Sequence, residues 1–382
     1  MQAYTASKVT PFNDLQAEWQ CRMRMLREAE QFIYASSYFI QYDRYGQEYV
    51  EALLTACKRG VKVVLLVDAF GQKLASSLMT RKEITEGRKA LSRLSEAGAT
   101  ICFYKCRTPL MRLLGSGMHI KIQLTEKGGA LFSSGNISAT SYDKWREFSV
   151  HVEGRIVLAL LKEFTAFGTV VDPGDFDLLN KESSDVEQET LLYASYNPTI
   201  DMHPLNPIML HSPNKLTDYL VSLFTNAKKS ISLTSFYFKP VPILLNALSD
   251  AAERGVRIEI FHSHRDALGH SILPWVPSFH LYPRLLELGV HIYENFHGEH
   301  SKNILVDHEM TVFGTYNFEY AAHDRVAEAM MVSTSKEMVY FMANTFEMLR
   351  TSADNIKIDQ ATAIPQHVRR KAYLFKPFVR WI

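Results

Sequence analysis

The sequence has few cysteines, almost no net charge and no long apolar run. Four cysteines occur among 382 residues, at irregular spacing and without a CxxC pair, which suggests buried thiols in a reducing compartment. No stretch approaches eighteen uncharged apolar residues, so no membrane-spanning helix is expected. The net charge of +1 argues against a protein that packs DNA through a global basic field.

The N-terminal residues also lack the apolar segment of a signal peptide, so a cytoplasmic protein is expected. Apolar residues make up 47% of the chain and charged residues 22%, a balance typical of globular proteins rather than disordered ones. The length allows one large domain or two of ordinary size.

What the sequence does contain is one polar pattern that occurs twice. Its members, first copy before second, are His119 and His300, Lys121 and Lys302, Glu126 and Asp307, Asn136 and Asn317, and Glu147 and Glu328. Each pair is separated by 181 positions, so five polar residues stay in step across 28 positions without a gap. Chance does not account for such agreement, and the pattern indicates an internal duplication.

The elements around the two copies repeat as well. Glycines that end predicted helices recur at offsets of 195 (Gly60 and Gly255) and 191 (Gly98 and Gly289). Both halves therefore predict the same β-α-β series, and the fold class is α/β with two similar α/β/α lobes. The expected ranges are a first lobe at 1–171, an acidic connection at 172–206, a second lobe at 207–360 and a basic-aromatic tail at 361–382.

Strand periodicity places His119 and Lys121 on one face of a strand, and likewise His300 and Lys302. A hairpin would return each asparagine to its histidine, while Glu147 and Glu328 open the next strands and could reach the imidazoles from behind. One His, Lys and Asn from each half suit a phosphate held between the lobes. Further hydrogen bonds to its oxygens are expected from the supporting residues Ser134 and Thr315.

Three other interpretations compete with a phosphate site. A metal centre is disfavoured because each histidine has a lysine two positions away, whose ammonium would repel a cation, so no metal and no cofactor are expected. Polar residues that only satisfy a core would not need to repeat in register. A serine hydrolase finds little support, since the chain has no GxSxG motif.

The two stretches resemble the HxK(x)4D(x)6GSxN signature of the phospholipase D superfamily. The second copy matches with one substitution, Thr315 for Ser; the first has Glu126 for Asp and Ser133 for Gly. The resemblance implies a two-lobed α/β fold with the active site at the lobe interface. It further implies that Asp307 and its counterpart Glu126 are mainly structural, and that the later carboxylates pair with the histidines.

Within that superfamily the chain is most similar to bacterial cardiolipin synthases. The similarity lies in the apolar strand ending at Asp68, the basic loop before His119 and the basic-aromatic C-terminus. It implies phosphatidyl transfer through a covalent phosphohistidine to a lipid alcohol. It also implies His119 as the nucleophile and His300 as the acid/base, although the near-symmetry of the halves leaves that order open.

Two segments favour a lipid substrate and a peripheral position on the cytoplasmic membrane. The loop 105–117 mixes Arg107 and Arg112 with leucines, and the tail carries Arg369, Arg370 and Trp381; cations beside apolar and aromatic groups suit anionic lipid surfaces. An ordinary packed loop and a tail docked on the body are the alternatives. Segment 271–282 either walls an acyl groove or forms a buried corner.

Four functions remain open from the sequence. The favoured one is a cardiolipin-synthase-type transferase. A phospholipase D or phosphatidylserine synthase would use the same residues with another acceptor alcohol. A nuclease of the same superfamily is disfavoured by the near-neutral charge, and an inactive membrane-binding module is suggested only by the altered first copy. The oligomeric state is not indicated.

Overall fold

The computed structural model describes residues 1–182, 189–198, 213–268, 273–359 and 365–376. The strands are β1 Gln2–Ala6, β2 Lys8–Phe12, β3 Phe32–Ser37, β4 Lys62–Asp68, β5 Thr100–Tyr104, β6 Gly117–Met118, β7 Lys121–Thr125, β8 Gly129–Ser133, β9 Ser149–Glu153, β10 Glu189–Tyr196, β11 Ser230–Ser235, β12 Phe238–Lys239, β13 Arg257–Ser263, β14 His291–Asn295, β15 Asn303–Val306, β16 Met310–Gly314, β17 Phe318–Glu319, β18 Val326–Ser333 and β19 Asn355–Ile358.

The α-helices range from one to four turns in length. They are α1 Leu15–Glu28, α2 Arg44–Lys58, α3 Ala69–Ser76, α4 Arg81–Glu96, α5 Pro109–Leu113, α6 Ile156–Ala166, α7 Pro173–Glu182, α8 Lys215–Asn226, α9 Pro242–Glu253, α10 Val276–Glu287, α11 Tyr320–Asp324, α12 Lys336–Thr351 and α13 Gln366–Phe375.

Each lobe is built on a mixed sheet whose strand order is the same in both halves. In the first lobe the sheet runs β2-β9-β8-β7-β3-β4-β5, with β3, β4 and β5 parallel and the others antiparallel. The second sheet contains β18-β16-β15-β11-β13-β14, which repeats β9-β8-β7-β3-β4-β5. The predicted α/β fold with two similar lobes is confirmed.

The second sheet is wider because it takes strands from elsewhere in the chain. Strand β1 pairs with β10, which pairs with β18, and β19 covers the opposite edge. The first few residues, assigned by the sequence to the first lobe, thus lie in the second sheet. Extended backbone must pair its N–H and C=O groups when buried, and the edge of the second sheet supplies those partners.

The acidic connection expected at 172–206 contains a packed helix and a strand among its described residues. Helix α7 begins at Pro173 and buries Leu179 in the core of the first lobe, and the Tyr34 hydroxyl donates to Asp175 at 2.7 Å. Strand β10 follows at 189. Asp172 and Asp177 of this segment are exposed, whereas Asp175 is buried. Residues 183–188 and 199–212 lie outside the described residues.

The lobes meet face to face and exchange backbone hydrogen bonds. Strand β6 pairs in parallel with the start of β18, and one apolar core includes side chains of both sheets, such as Phe148 against Phe313 with ring centroids 5.4 Å apart. Buried apolar area contributes about 25 cal/mol per Å². A continuous core across the interface therefore fixes the lobes relative to each other.

Two peripheral segments pack against the body of the protein. Trp275 is 1% exposed at the start of α10, so the described part of segment 271–282, residues 273–282, forms a buried corner rather than an open groove. The tail helix α13 rests on the body through the buried Val368 and Ala372, and the Ala372 carbonyl lies 3.0 Å from Nε2 of His280. No helix among the described residues is long and apolar enough to cross a membrane.

Candidate active site

The two histidines face each other across the lobe interface. Their ring centroids are 6.4 Å apart, and both side chains are buried. The backbone N–H of His119 donates to Ala327 O at 2.9 Å, and that of His300 to Arg146 O at 2.8 Å. Each histidine is thus anchored by the backbone of the opposite lobe, which brings the two copies of the sequence pattern into one site.

The carboxylates are exchanged between the lobes. Both oxygens of Glu328, in the second lobe, lie 3.1 Å from Nδ1 of His119, and Glu147, in the first lobe, lies 2.8 Å from Nδ1 of His300. The Thr315 carbonyl lies 3.2 Å from Nδ1 of His119, and a carbonyl can only accept, so that nitrogen carries the proton. Each ring keeps Nε2 for a substrate. The sequence placed carboxylates behind the imidazoles but did not predict this exchange.

The two lysines are buried beside the histidines. Lys121 donates through Nζ to the carbonyl of His119 at 2.8 Å, and Lys302 donates to the carbonyl of His300. Each ammonium is thereby tied to the backbone of its own motif, which fixes the positive charge near the imidazoles. Desolvation, opposed by nearby glutamates, lowers the pKa of Lys302 to about 8. Burial and the second ammonium lower the pKa of Lys121 well below its usual value.

The asparagines and the hydroxyl residues of the repeated pattern form hydrogen bonds in both lobes. Ser134 donates to Glu147 at 2.5 Å and accepts from Phe148 N; Thr315 accepts from Ala329 N at 3.0 Å. Asn317 donates to Glu319 at 3.1 Å. The Oδ1 atoms of Asn136 and Asn317 are buried without a hydrogen-bond partner among the described residues, which is costly unless a ligand completes the site.

Aromatic side chains wall the histidines, and the sequence reasoning missed them. Tyr38 meets His119 edge-on at 5.1 Å, and Phe236 meets His300 edge-on at 4.7 Å. These two follow Ser37 and Ser235 at the same offset of 198, so the repeat contained a signal for them. Trp145 of the first lobe stacks on His300 at 4.7 Å and 18°. Among the described residues His119 has no equivalent neighbour, because Val326 of the second lobe stands at the position that matches Trp145.

The residues just before each histidine are also fixed by buried partners. The Asp68 carboxylate accepts from Met118 N at 2.9 Å, and the Ser263 hydroxyl accepts from Glu299 N at 3.0 Å in the second lobe. Gly117 and Gly298, again 181 positions apart, lie so close to Asp68 and Trp145 that an added Cβ would come within 2.8 and 2.4 Å. These matched glycines were a second overlooked signal.

Burial and charge shift the pKa values of the site strongly. Desolvation and the nearby lysines lower the pKa of both histidines well below the usual value, and desolvation raises the pKa of Glu147 to about 7 and that of Glu328 well above its ordinary value. All four shifts share a cause, since a dry site disfavours every isolated charge. Perturbations of this kind cluster at functional sites.

The signature acids lie away from the histidines and hold backbone. Asp307 accepts from the N–H groups of Lys228, Lys229 and Ser230 at 2.7 to 2.9 Å, and Glu126 accepts from Glu30 N at 2.8 Å and from Phe32 N. In both lobes the carboxylate caps the turn that leads into the central strand. The longer glutamate therefore does the same work as the aspartate of the second lobe.

The Ser-for-Gly departure is accommodated locally. At Gly314 an added Cβ would approach Ala329 O to 2.3 Å, so the second lobe needs glycine there. In the first lobe the Ser133 hydroxyl accepts from Ser149 Oγ at 2.7 Å and from Gly135 N at 3.0 Å. Ser149 stands where the second lobe has Met330, and this exchange gives the extra hydroxyl a partner.

The residues expected to contact membrane lie outside this cluster. Four of them are exposed: Arg107 just before α5, Arg112 on α5, and Arg369 and Arg370 on α13. The fifth, Trp381, falls outside the described residues. The described residues contain no group of three or more His, Cys, Asp or Glu side chains arranged to hold a metal ion. The arrangement itself offers two nucleophilic nitrogens and two ammonium groups, which suits attack on an anionic phosphoryl centre.

Comparison with known proteins gives a family match in both lobes. The family model described as "Cardiolipin synthase, PLD-like domain" matches residues 23–167 and 220–350. Cardiolipin synthase 1 of Staphylococcus epidermidis is 24% identical over 354 residues, covering 89% of this chain and 67% of that protein. Cardiolipin synthase of Alkalihalophilus pseudofirmus is 28% identical over 312 residues, covering 78% and 57%. The chain thus spans about two thirds or less of these relatives' length.

A solved structure has a similar fold. Phosphatidylserine synthase of Haemophilus influenzae Rd KW20 superposes with a TM-score of 0.74 over 98% of this chain and 95% of that chain, at 14% sequence identity. At that identity the likeness concerns the fold, and it covers both lobes together.

Proposed function

This chain belongs to the family of cardiolipin synthase, PLD-like domains, and on that premise we propose that it transfers a phosphatidyl group to a lipid alcohol through a covalent phosphohistidine. The observation that carries the proposal is the pair of buried imidazoles 6.4 Å apart, each with a carboxylate on Nδ1 and an Nε2 that has no hydrogen-bond partner among the described residues. Two opposed nitrogens suit a displacement at phosphorus in which one attacks and the other serves the leaving oxygen.

In the first step Nε2 of His119 attacks the phosphorus of the donor lipid. A P–N bond forms, the P–O bond to the departing alcohol breaks, and protonated His300 gives its Nε2 proton to that oxygen. Glu328 would stabilise the positive charge that develops on the His119 ring, because it accepts from the opposite nitrogen.

In the second step neutral His300 takes the proton of the acceptor hydroxyl. The acceptor oxygen attacks phosphorus, the P–N bond breaks and His119 is restored. Glu147 would hold His300 in the orientation needed for both transfers. The two steps are mirror images, so the same pair of residues serves donor and acceptor.

Lys121 and Lys302 would hold the phosphoryl oxygens, aided by the Nδ2 groups of Asn136 and Asn317. The buried Oδ1 atoms of these asparagines, which lack partners among the described residues, can only accept and would suit a hydroxyl group of the bound alcohol. Burial and the two nearby ammonium groups lower the pKa of His300. A bound phosphodiester anion between the lysines would offset that effect and favour the protonated His300 that the first step requires.

The substrate would be reached at a membrane surface. The exposed cations Arg107, Arg112, Arg369 and Arg370 support peripheral binding to anionic lipid on the cytoplasmic side. A nucleic acid is not the proposed partner.

The proposal is tested by incubating the protein with phosphatidylglycerol vesicles and separating the lipid products. Release of glycerol with formation of a four-chain lipid is expected, and His119→Ala should abolish both. Parallel incubations with serine, with an ethanolamine lipid or with water alone identify the acceptor by the lipid formed. Full activity of His119→Ala would refute the mechanism, and cleavage of labelled single-stranded DNA without lipid turnover would refute the substrate.

A further inference from the structure

Large apolar side chains are exposed together on one face of the first lobe. Among the described residues, fourteen large apolar side chains are exposed, and six lie between residues 70 and 113. These are Phe70, Leu74 and Leu78 along and just after α3, Phe103 on β5, and Leu110 and Leu113 on α5. Leu113 is 82% exposed. Apolar clusters of this kind mark interaction surfaces.

These side chains belong to one surface beside the active site. Helix α3 begins directly after β4, and Asp68 at that junction accepts from Met118 N, next to His119. Phe70 lies 3.2 Å from where a Cβ on Gly115 would stand, which joins α3 to the end of α5. Lys73 of α3, Phe103 and Lys105 line the same cleft of about 420 Å³.

The surface is also basic. Residues 69–117 contain nine lysines and arginines against three acidic residues, in a chain whose net charge is +1. Lys73, Lys105, Arg107 and Arg112 are exposed around the leucines, and the segments 69–80 and 97–117 contain no acidic residue. Apolar groups ringed by cations complement an anionic bilayer surface, where they meet acyl chains and phosphates respectively.

Among the described residues, the second lobe presents no such surface at the matching position. Its residues 264–299 contain two lysines and arginines against four acidic residues. Phe103 is replaced by Glu294, at an offset of 191, and Glu294 is buried and accepts hydrogen bonds from Trp275 and Tyr282. The internal duplication therefore provides a comparison at the same position of the fold. The surface is apolar and basic in the first lobe, whereas the matching stretch of the second lobe is acidic and has a buried, hydrogen-bonded glutamate in place of Phe103.

We propose that the face formed by α3, the end of β5 and α5 docks on an anionic phospholipid bilayer, so that the active site is loaded from the side of the first lobe. This rests on the proposed function for its lipid substrate, but the docking can be measured without turnover. The leucines would enter the interfacial region, while the four cations contact headgroup phosphates.

The test is flotation with vesicles of phosphatidylcholine alone and of phosphatidylcholine with phosphatidylglycerol. Replacing Leu74, Leu78 and Leu113 together by Gln should weaken binding to the anionic vesicles about tenfold or more. The matched control replaces Ile243, Tyr340 and Met348 by Gln; these are as exposed but lie on α9 and α12 of the second lobe, and binding should not change. Equal thermal melting of both triple variants checks folding.

Two further experiments test the role of the cations and separate membrane docking from catalysis. Replacing Lys105, Arg107 and Arg112 by Gln should strongly reduce the preference for anionic vesicles, whereas replacing the exposed Lys58, Lys162 and Lys357 should not. With a short-chain phosphatidylglycerol below its micelle concentration, the leucine variant should keep wild-type turnover. Unchanged flotation of the leucine variant would overturn the docking face; flotation as expected with no lipid turnover would overturn the proposed reaction and leave the docking face standing.

Discussion

The two lobes share strand order and catalytic pattern, yet they differ around their histidines. Tyr38 meets His119 edge-on, and both oxygens of Glu328 meet Nδ1 of His119. His300 lies between Phe236 and Trp145, and one oxygen of Glu147 meets its Nδ1. A duplicated site thus has two unlike halves. The difference suits unequal roles, one ring attacking and the other exchanging protons.

The largest expected effect separates the two histidines. His119→Ala and His300→Ala should each lower lipid turnover by about 10³-fold or more. With a phosphodiester whose leaving group needs no proton, such as a nitrophenyl ester, His300→Ala should still form the covalent adduct, and rapid acid-free quenching should trap it. His119→Ala should form none. An adduct on His300 in the His119 variant would reverse the assigned order.

The second prediction compares the two carboxylates that reach across to the histidine of the opposite lobe. Glu328→Gln should slow adduct formation by about 10- to 100-fold even with the nitrophenyl ester, because Glu328 supports the attacking ring. Glu147→Gln should slow the lipid reaction similarly but be largely rescued by the nitrophenyl ester. Single-turnover kinetics of the two variants give the answer. Rescue of the Glu328 variant instead would mean that each carboxylate serves the histidine of its own lobe.

Glu147 also predicts a pH effect on stability. Because burial raises its pKa from 4.5 to about 7, the folded protein holds this proton more tightly than the unfolded chain, and its contribution to the free energy of unfolding falls as the pH rises from about 4.5 to about 7. Glu147→Gln removes that loss. Denaturant unfolding across this range should show the variant gaining stability relative to the wild type as the pH rises, and a constant difference would contradict the shift.

A smaller effect is expected from exchanging the signature residues Ser133 and Gly314. Gly314→Ser should cost about 1–3 kcal/mol, since its Cβ would overlap the Ala329 carbonyl. Ser133→Gly should cost about 0.5–1.5 kcal/mol, the loss of a buried hydrogen bond to Ser149. Urea unfolding of both variants compares the lobes directly. An equal loss of unfolding free energy in the two variants would show that the lobes tolerate either residue at this position.

The smallest effect concerns the tail. Arg369→Gln with Arg370→Gln should weaken binding to anionic vesicles less than the matching change at Arg107 and Arg112, and both effects should shrink at high salt. These tail residues lie on a helix whose buried Val368 and Ala372 are untouched by the change. Co-sedimentation at two salt concentrations measures this, and a larger effect from the tail would make it the main anchor.

Much of the site could be predicted from the sequence because the duplication kept register. The offset of 181 identified His, Lys, Asn and Glu in both copies, and strand periodicity together with the duplication gave the lobe fold. The exchange of Glu147 and Glu328 could not be predicted, because it depends on β6 pairing with β18 of the other lobe. Trp145 could not be found from the repeat, because no aromatic residue stands at the matching position of the second copy. Strand β1 was assigned to the wrong lobe, because its pairing with β10 is a contact between residues far apart in the sequence.

That pairing of β1 with β10 bears on how the protein is made. Ala6 pairs with Glu189, so a strand translated early must wait for a partner translated much later, and contacts of such sequence separation form slowly. Until then its backbone groups stay unpaired, a state open to association with other strands. The sheet of the second lobe, which this strand extends, is therefore completed only after β10 has been translated.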